Sequence, residues 1–298
     1  MKAALRGKKL GQMSRLTSRS PLSALRNFSA SRFLKKSNFP LQNFRPKVLV
    51  HQQTENFVLK TAESPFELRQ VLKLRHEVFY KELQDRVHET SLDFDEFDAI
   101  CDHLIIIDKK SARIVGTYRM ICSTFSDRFY SQGEFNLDEL ISQPGVKLEL
   151  GRACIDAEFR TGAIINLLWK GIAEYIRKTD TAFLFGCASV HTVDAVIASR
   201  LLALLRAKGL AVDELGVKPT EKYRCILPRV QADEGMEKEI PALIQSYILA
   251  GAKFYGEPAL DVDFHCFDFF MMLKISEMSR LFRRRYKLDE QPEAAKTE

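Results

Sequence analysis

No stretch of this 298-residue sequence approaches the ~20 consecutive apolar residues of a membrane-spanning helix. "HLIIID", residues 103–108, has only the length of a strand. The start of the chain also lacks an apolar segment of ~7–15 residues, which excludes a secretory signal. The six cysteines, at 101, 122, 154, 187, 225 and 266, form no CxxC and no Cys/His cluster at zinc spacing. Most lie in apolar, strand-like stretches, where a thiol acts as a small hydrophobe, so a reducing cytoplasm is the expected compartment. No Ser/His/Asp elbow and no metal-ligand cluster is visible. Residues 1–50 contain no Asp or Glu at all.

That last absence explains the net charge of +6. Twelve Lys or Arg fall within residues 1–50, leaving 33 basic against 39 acidic residues in the remainder. The protein reads as a mildly acidic body with a basic leader, and its charge gives no reason to expect a nucleic-acid partner. The leader, residues 1–50, is basic and Ser-rich with no clear periodicity. It fits a transit peptide, a disordered arm drawn to anionic lipid, or a plain solvated segment. A composition of 46% hydrophobic and 28% charged residues suits one large folded domain or two small ones.

Folded structure is expected from about residue 55 to 275, with residues 276–298 a charged tail. "SPFELRQVLKLRHEVFYKEL", 64–83, opens on a capping box with Pro at the first helical position. "DHLIIID" and "RIVGTYRMIC" read as strands joined by "KKSA". Strand 147–155, helix 162–178, strand 182–189, helix 193–208 closed by Gly209, strand 222–228, helix 241–251 and strand 264–273 follow. Paired strands first and alternating strands and helices afterwards indicate an α/β or α+β domain.

Several charges violate this pattern. Arg75 interrupts the apolar face of the first helix, Arg119 lies inside the second strand, and Glu149 and Arg152 lie inside "LELGRACI". A charge among apolar neighbours is costly unless paired or used, so these residues predict an inward polar network at a site. Glu149 and Arg152 are an odd number of residues apart, so a regular strand sends them to opposite faces. A bulge at Gly151 shifts that phase, brings both to one side, and splays the strand from its neighbour.

The motifs "LRHEVF", "DEFDAICDH", "IVGTYRM", "LELGRACI", "FLFGCAS" and "GEPALDVDFHCFDFF" resemble the ornithine-lipid N-acyltransferases of the GNAT class, relatives of the acyl-homoserine-lactone synthases. The likeness runs from about residue 57 to 275. It implies a GNAT-like mixed, mostly antiparallel sheet with a bulged, splayed central strand and flanking helices. It implies transfer of a (3-hydroxy)fatty acyl group from acyl carrier protein to the α-amine of ornithine. No cofactor is implied beyond the carrier's phosphopantetheine, and no metal. By resemblance, Glu149 and Arg152 are catalytic, with Glu149 the base directly or through water. Arg75, Phe79, Asp95, Asp98 and Arg119 are substrate-binding, the two aspartates suiting a cationic amino acid. Cys154, Ile155, Arg160 and Gly162 fall at the acyl-donor end.

Two departures matter. CoA-dependent relatives carry Q/R-x-x-G-x-G/A after the bulged strand, whereas "EFRTGAI" has Arg160 followed by the single Gly162, which favours carrier-bound donor over free CoA. Lactone synthases carry a Trp between the first-helix Arg and the acidic loop, whereas the single Trp here is Trp169, on a later helix with a core role. Other acceptors (glycine, lysine), lactone synthesis and a non-catalytic acyl-binding module at a membrane surface stay open. Phe264, Phe267, Phe269, Phe270, Met271 and Met272 line a tunnel or form core. His103 and His191 read as structural. "RLFRRRYK", 280–287, is a contact for anionic lipid or carrier protein, or a solvated helix end. The expected location is cytoplasmic, with peripheral attachment to the inner membrane.

Overall fold

The computed structural model describes residues 42–84 and 91–289. The readings of residues 1–41 and 290–298 lie outside them. Twelve strands are present among these residues: β1 His51–Gln53, β2 Phe57–Thr61, β3 Asp102–Asp108, β4 Arg113–Cys122, β5 Phe135–Asn136, β6 Val146–Ile155, β7 Thr181–Val190, β8 Ala211–Val212, β9 Lys218–Pro219, β10 Lys253–Tyr255, β11 Ala259–Asp261 and β12 Cys266–Lys274. The helices are α1 Pro65–His76, α2 Asp138–Ser142, α3 Gly162–Thr179, α4 Ala195–Ala207, α5 Ala242–Ala250 and α6 Arg280–Arg285. The main sheet runs β1-β2-β3-β4-β6-β7-β12-β10-β8, with β11 added to β12, while β5 and β9 pair separately. Only the β6–β7 and β8–β10 pairings are parallel. None of the described helices is long and apolar enough to cross a membrane.

Local sequence explains the main elements. Ser64 caps α1 by accepting from the Glu67 N–H at 3.2 Å, and Pro65 fills the first turn. Glu67 reaches back one residue further than a capping box requires, accepting from Glu63 N–H at 2.7 Å. α1 continues into a π-helical stretch, Glu77–Glu82. Helix α3 buries Ile164, Leu168, Ile172 and Ile176, spaced by about one turn, against the sheet. The expected strand at 222–228 does not form: Glu221–Tyr223 is a 3-10 turn, and Ile226 is 93% exposed with no strand beside it to cover it.

The ends of the folded body also lie further out than the sequence suggests. Phe44 and Val50 are buried, and the Lys47 and Val48 N–H groups donate to the carboxylate of buried Asp102 at 2.8 and 3.0 Å. At the other end Phe282 and Tyr286 pack on Trp169, with ring centroids 4.7 and 6.2 Å away. Residues 42–50 and 276–289 are therefore parts of the body. A chain beginning at residue 51 leaves Asp102 without two donors and uncovers apolar core. It should lose at least about 3 kcal/mol relative to a chain beginning at residue 42, read as a lower thermal midpoint.

The centre of the sheet positions the site. Pairing of β6 with β7 runs from Val146↔Thr181 to Glu149↔Phe185 and then stops, while β7 continues along β12. At the parting point Gly186 meets the Leu150 carbonyl so closely that a Cβ there would lie 2.2 Å from the oxygen. On the other side of β6, Arg119 pairs with Gly151 and Thr117 with Cys154, so β6 carries one extra residue. The bulge expected at Gly151 is there, and the residue after it, Arg152, takes a left-handed conformation, φ 48°. A non-glycine residue held in that region costs on the order of 1–3 kcal/mol, which its ion pairs offset.

Candidate active site

Three arginines and three aspartates meet beside the bulge. Arg75 comes from the last turn of α1, Arg119 from β4 and Arg152 from β6; the loop before β3 supplies Asp93, Asp95 and Asp98. Arg75 Nε donates to Asp93 Oδ2 at 2.6 Å, and its Nη1 and Nη2 donate to the two oxygens of Asp98 at 2.5 and 3.2 Å. Arg119 Nη1 donates to both oxygens of Asp95 at 2.7 and 2.6 Å. Arg152 Nη2 reaches Asp95 Oδ2 at 3.3 Å, and its Nε lies 3.6 Å from Asp93. The same loop is held by its own aspartates: Asp95 caps the turn Glu96–Ala99 by accepting from Phe97 N–H at 2.9 Å, and Asp98 accepts from Asp95 N–H at 2.9 Å.

The charges balance three against three, as burial requires. Burial pushes the Asp93 and Asp95 carboxyls up, but the guanidiniums outweigh it and hold both below the usual range. Arg75 and Asp98 are completely buried. The resemblance made Asp98 and Arg75 substrate contacts, and the structure gives neither of them access. They position Arg119 and Arg152, which do reach the surface of a cavity.

That cavity has a volume of about 260 Å³ and opens where β6 leaves β7. Its lining includes the charged residues Arg119, Glu149, Arg152, Asp261 and Asp268 and the apolar or aromatic residues Phe79, Tyr118, Leu243, Ile244 and Tyr247. Gly151, Arg152 and Ala153 of the bulge form part of the wall. Glu149 and Arg152 face the same space, as the bulge requires. Tyr130 stands between the arginines, with the Arg119 and Arg152 guanidiniums each 5.1 Å from its ring centre. The Arg152 guanidinium also lies over the Phe264 ring, 4.5 Å from its centre.

Glu149 is 2% exposed. Its Oε2 accepts from Tyr130 N–H at 2.7 Å, and its Oε1 accepts from Ser131 N–H at 2.7 Å and from the Ser131 hydroxyl. It therefore anchors the loop that carries Tyr130, a role the sequence did not suggest. Oε2 has a single protein donor, so it retains a lone pair, and Glu149 is among the residues that line the cavity. Burial pushes the carboxyl up, and the Ser131 and Tyr130 donors recover only part of that rise.

The residues expected at the acyl-donor end are dispersed. Cys154 packs away from the cavity on Leu74 and Val78. Ile155 pairs with Gly116 on β4. Arg160 is tied to Glu82 through Nη1 and, at 2.6 Å, Nη2, and its Nε donates to the Ile155 carbonyl at 3.1 Å. Gly162 is the exposed first residue of α3, whose N-cap Thr161 makes no side-chain cap. Of the aromatic tail only Phe264 reaches the cavity, while Phe267, Phe269, Phe270, Met271 and Met272 are core. His191 lines the cavity, and His103 is buried with Nε2 3.3 Å from Cys101 Sγ. Sequence reasoning missed Tyr130, Ser131, Glu134, Asp261 and Asp268. Asp268 carried a signal, a carboxylate amid apolar residues in "CFDFFMML".

Residues 74–170 match the family model described as an acetyltransferase (GNAT) domain. The chain is 31% identical over 249 residues to the L-ornithine N(alpha)-acyltransferase of Rhodobacter capsulatus, covering 78% of this chain and 95% of that protein. It is 31% identical to the L-ornithine N(alpha)-acyltransferase of Brucella abortus, covering 74% and 85% of the two chains. Among solved structures it is similar to FeeM, an N-acyl amino acid synthase from uncultured soil microbes, at 11% identity and a TM-score of 0.46, covering 79% of this chain and 98% of that one.

Proposed function

We propose that this chain, which belongs to the L-ornithine N(alpha)-acyltransferase family, joins a fatty acyl group to the α-amine of ornithine. That it is an N-acyltransferase of the GNAT class follows from its family; the substrate rests on 31% identity to the named relatives over 74–78% of this chain. The observation that supports the reading here is a cavity lined by both charged and apolar side chains, at the mouth of a splayed pair of strands. An amino acid and an acyl chain need both kinds of lining at one place.

The chemistry uses the residues as follows. The donor thioester lies in the gap beyond Glu149↔Phe185, with its carbonyl against the backbone of Gly151–Ala153, which no longer pairs with β7. Backbone N–H groups there stabilise the developing oxyanion. Arg119 and Arg152, held by the aspartates, orient the substrate carboxylate. The neutral α-amine attacks the carbonyl carbon, a C–N bond forms, the C–S bond breaks, and the thiol leaves. Glu149 receives the ammonium proton through a water on its free Oε2 lone pair, an exchange made easier by its raised affinity for protons. The lyso-ornithine lipid is the product. Lipid extracts of a host expressing this chain should contain acyl-ornithine by mass spectrometry, and an unchanged extract from a host that makes the protein and the acyl donor counts against the reading.

We propose acyl carrier protein as the donor. Arg160 is occupied by Glu82, and one glycine cannot build the pyrophosphate cradle of a CoA enzyme. Acyl-carrier substrate should therefore give a kcat/KM at least about tenfold above that of the same acyl-CoA. Equal values would contradict this. For an anionic membrane surface as a second partner, α6 keeps Arg280, Arg284 and Arg285 outward.

A further inference from the structure

Beneath the cavity lies a second charged group that the arginine network does not use. Glu134 follows the Tyr130 loop, Asp261 ends β11 and Asp268 lies within β12. They are 2%, 3% and 4% exposed, and one carboxylate oxygen from each lies within 4.8 Å of the others. Their partners are neutral. Asp268 accepts from Ser189 Oγ at 2.5 Å and from Cys266 Sγ at 3.5 Å. Asp261 Oδ1 accepts from Asp263 and Phe264 N–H at 2.8 and 3.0 Å. Glu134 Oε2 accepts from Cys187 Sγ at 3.3 Å. Among the described residues, no Lys, Arg or His forms an ion pair with any of the three within 4.0 Å.

Three buried acids without a cation are unstable as a set, since each raises the cost of ionising the others. Two further observations point to a ligand. Glu134 Oε1 is buried without any hydrogen-bond partner, although its carboxylate belongs to the cluster. In the same cavity lining, Arg119 Nε and Arg152 Nε are buried without hydrogen-bond partners as well, Arg152 Nε lying 3.6 Å from Asp93. The acid cluster thus has no ion pair of its own, each arginine keeps one unused donor, and Asp261 and Asp268 share the cavity lining with the two arginines.

We propose that Glu134, Asp261 and Asp268 bind the side-chain ammonium of the amino-acid acceptor, while Arg119 and Arg152 hold its α-carboxylate. A primary ammonium offers three N–H donors; at hydrogen-bond length and tetrahedral angle their acceptors lie about 4.6 Å apart, compatible with the cluster. The two anchors leave the α-amine between them, beside the bulge. Selectivity for an α-amino acid ending in an ammonium follows, because an uncharged side chain leaves three carboxylates buried and unmatched. This inference rests on the proposed ornithine acylation and deepens it.

The test compares L-ornithine with L-norvaline, which has the same carbon chain and no terminal ammonium. The wild type should favour ornithine by at least about 10³ in kcat/KM. Asp268→Asn and Glu134→Gln should each reduce that ratio at least about 100-fold, mainly through KM for ornithine. The ratio is internal to each variant, so partial loss of folded protein does not affect it, and Glu134→Gln carries the test if Asp268→Asn does not fold. An unchanged ratio in a variant that acylates ornithine overturns the inference and leaves the ornithine reading intact. A wild type that acylates neither amino acid overturns the ornithine reading itself. Tight binding of Ca²⁺ or Mg²⁺ by calorimetry, lost in Asp268→Asn, overturns the ammonium assignment in favour of a metal.

Discussion

An Arg75→Met variant should lose about 3–5 kcal/mol of stability at pH 7, the cost of breaking a buried ion pair. Arg75 makes the shortest ion pairs to Asp98, at 2.5 and 3.2 Å against 3.5 Å for Arg119, and it also holds Asp93 at 2.6 Å. Methionine fills much of the volume and leaves the two acids behind. The pH dependence should change sign with it. In the wild type the Asp93 carboxyl, raised by burial but pulled down further by Arg75 and Arg152, lies below its ordinary value. Such a group contributes stability above the unfolded pKa, near 4, and that contribution is lost as pH falls through the folded pKa. Without Arg75 burial dominates, the folded pKa moves above the unfolded one, and stability is lost as pH rises through the new value. Between pH 7 and pH 5 the urea midpoint of the variant should therefore rise relative to that of the wild type. Adding Asp93→Asn and Asp98→Asn should restore much of the lost stability. A single variant within 1 kcal/mol of wild type would show that the network is not the keystone of this face.

Glu149→Gln should lower kcat by about 10²–10⁴. The carboxylate faces Tyr130 N–H, Ser131 N–H and the Ser131 hydroxyl, all able to donate. Whichever way a glutamine amide turns, its NH₂ meets at least one donor. The variant thus removes a proton acceptor and loosens the loop that places Tyr130 between two arginines. Ser131→Ala separates these effects, since it weakens the loop anchor and keeps the carboxylate. Its kcat should fall less than about tenfold, with the acidic limb of the pH–rate profile retained. That limb should vanish in Glu149→Gln. If both variants lose the same activity and keep the limb, Glu149 is an anchor alone and another group takes the proton.

Much of the site announced itself by misfit. Arg75, Arg119, Glu149 and Arg152 stood out because apolar neighbours surrounded them, and all four are buried or nearly so in one region. The bulge was legible from the odd spacing of Glu149 and Arg152, although the strained residue is Arg152, because a network of acids rather than a missing Cβ stabilises the turn. What was illegible depended on tertiary contacts. Nothing in "SQGEF" indicates that Glu134 will lie against Asp261 and Asp268, more than 120 residues away. Periodicity could not say that Phe44 and Val50 would be core, because the basic composition around them masked a short segment that docks as an edge. The strand expected at 222–228 failed for a complementary reason: its residues have strand propensity but no edge to pair with.

The most direct measurement is the site of acylation. Purified protein, an acyl-carrier thioester and L-ornithine labelled with nitrogen-15 at the α position should yield one product. Its fragmentation spectrum should place the acyl group on the labelled nitrogen, since the carboxylate cluster holds the other ammonium away from the thioester. Acyl transfer to the unlabelled terminal nitrogen, or no ornithine product from folded protein with an active donor, would contradict the account.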